Sequence, residues 1–86
     1  MILHFSDDFD RQFKDRLTSR EKIQVLDKIE LFIDEPFHKD LRNHSLRDVW
    51  IGYRSISVGG DLRLHFKVNK DNVYFVAVGT HNQLYK

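Results

Sequence analysis

The sequence has no cysteine among its 86 residues. That removes disulfides, iron–sulfur clusters, cysteine-ligated zinc and thiol nucleophiles together. Apolar runs are short, well below the about 18 residues a membrane-spanning helix needs. Met1 to Phe5 lead directly into Asp7, Asp8 and Asp10, so the expectation is a chain without a secretory signal that works in the cytoplasm, away from membranes. A large charge of one sign is missing too: 14 Lys and Arg stand against 13 Asp and Glu, for a net +1. With 41% hydrophobic and 13% aromatic residues, the chain is not a disordered tail. Gly59-Gly60 is not followed by Lys and Ser or Thr, so there is no glycine-rich phosphate loop. The histidines lack His-x-x-His and His-Glu-x-x-His spacing, and Ser55 and Ser57 fall mid-strand rather than on a nucleophile elbow. No metal, cofactor or Ser–His–Asp chemistry is expected.

What is there fits one small domain over residues 1–86, which buries ~60–65% of its unfolded surface. Charge is unevenly spread. Residues 1–43 carry 8 basic and 10 acidic side chains and residues 44–86 carry 6 and 3, net −2 against +3. Ile2 to Phe5 predicts a strand. Ser6 or Asp7 caps a first helix carrying Phe9, Phe13 and Leu17, and Thr18 with Glu21 forms a capping box for a second. That second helix places Ile23, Leu26, Ile29 and Ile33 on one face, flanked by Val25 and Phe32, and ends before Pro36. The two helices make a hairpin that needs a sheet to cover it.

From Asp48 the apolar period changes from 3.6 to 2. Ile56 and Val58 alternate with Ser55 and Ser57, while Leu62, Leu64, Phe66 and Val68 alternate with Arg63, His65 and Lys67. A two-residue turn at Gly59-Gly60 would set Ile56 beside Arg63. A three-residue turn, Gly59 to Asp61, pairs Val58 with Leu62, Ile56 with Leu64, Ser57 with Arg63 and Ser55 with His65. Only that register keeps apolar and polar faces separate. One face then packs on the helices, and the other presents Tyr53, Ser55, Ser57, Arg63, His65 and Lys67. After a turn at Asn69 to Asn72, Val73 to Val78 reads as a covered strand ended by Gly79. The tail from Thr80 is too polar for a core strand and too short for a helix of its own. The predicted fold is α+β: a helical hairpin on a four-stranded, mainly antiparallel sheet, in the order β-α-α-β-β-β.

A polar sheet face rimmed by His44, Arg54, Asp61, Arg63, His65, His81 and Tyr85 suits cleavage of RNA without a metal. RNA carries its own nucleophile, the 2′-hydroxyl. The protein has to supply a base, an acid for the leaving 5′-oxygen and a cation for the phosphate. Histidine fits either proton role near neutrality and arginine fits the phosphate. His4 and His38 are read as solvated.

Three segments carry a resemblance: Trp50-Ile51-Gly52-Tyr53-Arg54, Gly60-Asp61-Leu62-Arg63-Leu64-His65-Phe66, and Val78-Gly79-Thr80-His81-Asn82-Gln83-Leu84-Tyr85. With Leu41-x-x-His44-x-Leu46 upstream, the chain resembles the RelE/ParE toxin superfamily of type II toxin–antitoxin systems, and most closely its YafQ-like branch. The resemblance implies a toxin that cuts messenger RNA on the ribosome. It implies no cofactor, a cognate antitoxin as partner, and a free toxin that is monomeric and heteromeric with its antitoxin. It assigns catalytic roles to His44, Asp61, His81, Arg63 and Tyr85, with Asp61 or His44 as base and His81 as acid. RNA contacts fall to Arg54, Ser57, His65 and Lys67. Three positions depart from the pattern. Ser57 replaces a strand histidine, Leu62 replaces an aromatic, and Asp48 stands where a glycine usually follows the His-x-Leu-Lys element. Two other readings stand beside the nuclease: a ParE-like, non-nucleolytic inhibitor of DNA gyrase, and a catalytically degenerate binding module.

Overall fold

The computed structural model describes residues 1–85; Lys86, the end of the polar tail, lies outside the described residues. Strand β1 (Ile2–Phe5) leads into α1 (Asp7–Arg16) and α2 (Ser19–Asp34). A 3₁₀ turn at Lys39–Leu41, the short strand β2 (His44–Ser45) and a second 3₁₀ turn at Asp48–Trp50 follow. Strands β3 (Arg54–Gly59), β4 (Leu62–Asn69) and β5 (Asn72–Thr80) then run to a terminal one-turn helix, α3 (His81–Leu84). The spatial order is β1-β5-β4-β3-β2, with β1 parallel to β5 and the other pairs antiparallel.

The sheet therefore has five strands where the sequence predicts four. The addition is β2, two residues pairing His44 with Ser55 and Ser45 with Arg54. Neither of its residues is β-branched or apolar, so no periodicity announced it. A second correction concerns the tail. Thr80 Oγ1 accepts the Gln83 N–H and Gln83 Oε1 accepts the Thr80 N–H, a capping box that holds α3 together while Leu84 is buried beneath it.

Local chemistry explains both long helices. Ser6 Oγ accepts the Phe9 N–H at 3.0 Å and caps α1. Thr18 and Glu21 cap α2 reciprocally, at 3.1 and 2.9 Å. On α2, the face meeting the sheet is Ile29 with the two expected flanking residues, Val25 and Phe32, while the rest of the predicted stripe is left outside. Ile23, Leu26 and Ile33 are 61%, 57% and 46% exposed. Both stripes have helical spacing, and only the position of the sheet separates them.

The core holds Phe9, Ile29 and Phe32 against Ile56, Val58, Leu62, Leu64, Phe66 and Phe75. The Phe32 ring meets Phe66 and Phe75 edge-on, at 5.0 and 5.8 Å between centroids. The β3–β4 register matches the patterning argument at Ser55↔His65, Ile56↔Leu64 and Ser57↔Arg63. It departs at the tip, where Leu62 pairs with Gly59 and Val58 is the extra residue of a bulge. The turn is thus shorter than predicted, at Gly60-Asp61, with Gly60 at φ +54°. The bulge keeps Val58 in the core while letting the chain turn tightly.

Candidate active site

Lateral neighbours in a sheet share a face. His44, Ser55, His65 and Ala77 form one row across β2, β3, β4 and β5, and Ser57, Arg63 and Gly79 form the next. Both rows lie on the face away from the helices. The expected polar face exists, but its middle is closed. Ser55 and His65 are both 0% exposed. Trp50, brought in by the second 3₁₀ turn, meets the His65 ring edge-on at 4.5 Å and donates its Nε1–H to the Leu84 carbonyl at 2.9 Å. Tyr85 also meets the ring edge-on, at 5.7 Å. Residues 48–50 and α3 thus clasp each other over the sheet.

Two expected RNA contacts are out of reach of this face, His65 beneath the lid and Arg54 across the sheet. His65 offers neither ring nitrogen to a ligand, because both are buried and lack hydrogen-bond partners. Burial pushes its imidazole down to about 4, and the neighbouring Arg63, His44 and His81 add to the shift. It is a neutral ring packed against two aromatic neighbours. Arg54 belongs to the opposite face, in the row of Phe66 and Phe75. Its Nε–H donates to Asn43 Oδ1 at 2.8 Å and its guanidinium lies 5.6 Å from the Phe37 ring centre. It organises the loop beneath the sheet, on the side away from His65.

Around the lid the remaining residues gather. His44 is exposed and its Nδ1 lies 2.7 Å from the Arg42 carbonyl. A carbonyl oxygen can only accept, so Nδ1 carries the proton and Nε2 of the neutral ring keeps its lone pair. At the hairpin tip, Asp61 Oδ2 accepts the His81 N–H at 3.3 Å, and Asp61 Oδ1 stands 3.9 Å from Arg63 Nε. Arg63 Nε is buried without a hydrogen-bond partner. His81, on the first turn of α3, stacks on Tyr85 at 4.6 Å. Lys67 and Tyr53 continue the face, with the ammonium 5.6 Å from the ring centre. Ser57 is half-buried directly opposite Arg63.

Two contributors escaped the sequence reading. Trp50 was legible only as part of a motif, because its role depends on α3 closing above it. The Arg42 carbonyl fixes the His44 tautomer from a left-handed backbone, φ +50°, which no residue pattern signalled. Asp48 also lies in that region, at φ +55°. This is why a glycine suits the position and why aspartate, which tolerates such conformations, can replace it.

A comparison with curated proteins returns no match. The family described as a bacterial toxin of type II toxin–antitoxin system, YafQ, matches residues 1–86. Among solved structures, YafQ from E. coli strain BL21(DE3) is 26% identical, with a TM-score of 0.78 over 98% of this chain and 97% of that one. The E. coli DinJ–YafQ complex contains a chain 25% identical, with a TM-score of 0.74 over 98% and 97%. A copper-bound mutant toxin from Helicobacter pylori, 23% identical, shares the fold at a TM-score of 0.81 over 99% of both chains. With its whole length matched and its β-α-α-sheet order reproduced, the chain belongs to the YafQ family of toxins of type II toxin–antitoxin systems.

Proposed function

We propose that this toxin is a ribosome-dependent endoribonuclease that cuts messenger RNA using its own side chains as base and acid. The observation that carries the reading is the pair of exposed histidines flanking Arg63, His44 with its Nε2 lone pair unengaged and His81 held by Asp61 and Tyr85. His44 Nε2 takes the proton of the 2′-hydroxyl, and the 2′-oxygen attacks the adjacent phosphorus. The bond from phosphorus to the 5′-oxygen breaks, and protonated His81 delivers its proton to that leaving oxygen. Arg63 neutralises the charge that builds on the non-bridging oxygens, with Lys67 and Ser57 beside it on the strand. Asp61 serves as the group that positions His81.

The products are a 2′,3′-cyclic phosphate and a 5′-hydroxyl. Purified protein added to ribosomes programmed with a defined message should yield both ends. A 5′-phosphate and a 3′-hydroxyl at the cut, the ends left by attack of water, would overturn the scheme. Growth inhibition without message cleavage, accompanied by stalled gyrase, would favour the ParE-like reading. The partnership of E. coli YafQ with DinJ supports an antitoxin for this chain as well. Its acidic side chains would meet Arg63 and Lys67 and block the RNA face, whereas Arg54 lies on the other side of the sheet.

A further inference from the structure

Beside the site, and outside it, runs a polar groove of about 410 Å³ between α2, the Lys39–Leu41 turn and the β3–β4 tip. Lys28, Lys39 and Arg42 line it with Asp40, Ser57 and the Gly59-Gly60 backbone. Among the described residues none of the three cations makes an ion pair, whereas the single carboxylate, Asp40, lies 3.8 Å from His38. The groove exists because β2 stops after two residues and pairs only as far as Ser55, leaving the outer edge of β3 uncovered to Gly59. It also connects with the site through two shared residues. Ser57 stands directly opposite Arg63, and Arg42 holds His44 through its carbonyl.

Resting on the nuclease reading, we propose that this groove binds the backbone of the message on one side of the cut, with Lys28 and Lys39 contacting a phosphate next to the scissile one. Three unpaired cations in a polar channel suit a phosphodiester chain, which is anionic at every linkage. The channel's continuity with Ser57 and Arg63 places that chain where the reacting phosphate sits. Anchoring a neighbouring phosphate would add affinity for the message equally before and during the chemical step, without touching the reacting atoms. The uncovered β3 edge would then be a binding feature of this chain.

The test uses whole protein on programmed ribosomes. Arg42 is left intact because its carbonyl serves His44. In the doubly neutralised variant, Lys28→Gln with Lys39→Gln, the Kd for programmed ribosomes should rise about tenfold, and the slope of log Kd against log salt should fall by about 1 per lost contact. The single-turnover cleavage rate at saturating protein should be unchanged. Asp40→Asn should tighten binding. Messages carrying one uncharged methylphosphonate linkage, scanned on both sides of the cut, identify the contact. At one position the wild type should lose affinity while the double variant loses nothing further. Unchanged Kd and salt slope would overturn the proposal. So would an equal loss from the control pair Lys14→Gln with Arg20→Gln, or a loss independent of every message linkage, which would assign the groove to ribosomal RNA. A wild-type protein that cuts no message defeats the nuclease reading itself, whereas an active wild type with an unaffected double variant defeats only this site.

Discussion

The Asp61 carboxylate accepts the backbone N–H of His81 at 3.3 Å, tying the β3–β4 hairpin tip to the first residue of α3. The contact spans 20 residues of sequence and joins the two ends of the site face. A carboxylate engaged this way holds the start of α3 in place, and its other oxygen stands 3.9 Å from Arg63 Nε.

This assigns Asp61 a positioning role that substitution can separate from proton transfer. Asp61→Asn keeps an oxygen acceptor for the His81 N–H, and its cleavage rate should stay within a few-fold of the parent. Asp61→Ala releases α3, and a displacement of the order of 1 Å should cost about 10²-fold. Single-turnover cleavage of programmed ribosomes checks both. Equal, large losses in the two variants would make Asp61 the base.

His44→Ala and His81→Ala should each lower the cleavage step by ~10²–10⁴, the range of a positioned base or acid. In a message whose leaving 5′-oxygen is replaced by sulfur, which needs no proton to depart, the His81 defect should shrink and the His44 defect should persist. A His81→Ala variant that cuts at the parent rate would return this residue to the solvated tail.

His65 makes a prediction about pH. Its pKa lies at about 4 in the folded chain against 6.5 when free. Between these values the unfolded chain binds the proton and the folded chain does not, so stability falls as pH drops through that window. The loss is of order 3 kcal/mol at most. Above pH 6.5 both states are neutral and the effect vanishes. His65→Phe keeps an aromatic ring against Trp50 and Tyr85 and removes two unpartnered nitrogens. Urea melts should find it about 1 kcal/mol or more stabler at pH 7, with a shallower loss toward pH 5. An unaltered pH slope would mean that His65 is not the group responsible.

Two leucines of equal chemistry should behave differently. Leu64 is 0% exposed and Leu26 57% exposed. Leu64→Ala should cost about 2–5 kcal/mol as a core truncation. Leu26→Ala should stay within roughly 0.5 kcal/mol. Chemical melts decide it. Comparable losses would mean that the stripe of Ile23, Leu26 and Ile33 is covered in the folded protein.

The hairpin register was legible because period-2 patterning admits one alignment that keeps Ile56 and Leu64 together and Ser57 beside Arg63. Caps were legible because Thr18 and Glu21 act within one turn of chain. Both signals are local, or local plus one turn. The resemblance added individual roles for His44, Asp61, His81 and Arg63, which the structure brings around one face.

Composition and periodicity alone therefore determined two helices, a twisted hairpin and the alternation that sends Arg63 and Leu64 to opposite faces, since side-chain direction follows from backbone period. Tertiary structure alone decided which stripe of α2 met the sheet, because Val25, Ile29 and Phe32 share their helical spacing with the stripe left outside. It also decided that His65 and Ser55 would be closed to solvent while His44 and His81 stayed open. Alternation marks a face as polar, but exposure depends on what else folds over it. Here that is Trp50 bonded to the Leu84 carbonyl, a contact across 34 residues that no local pattern encodes.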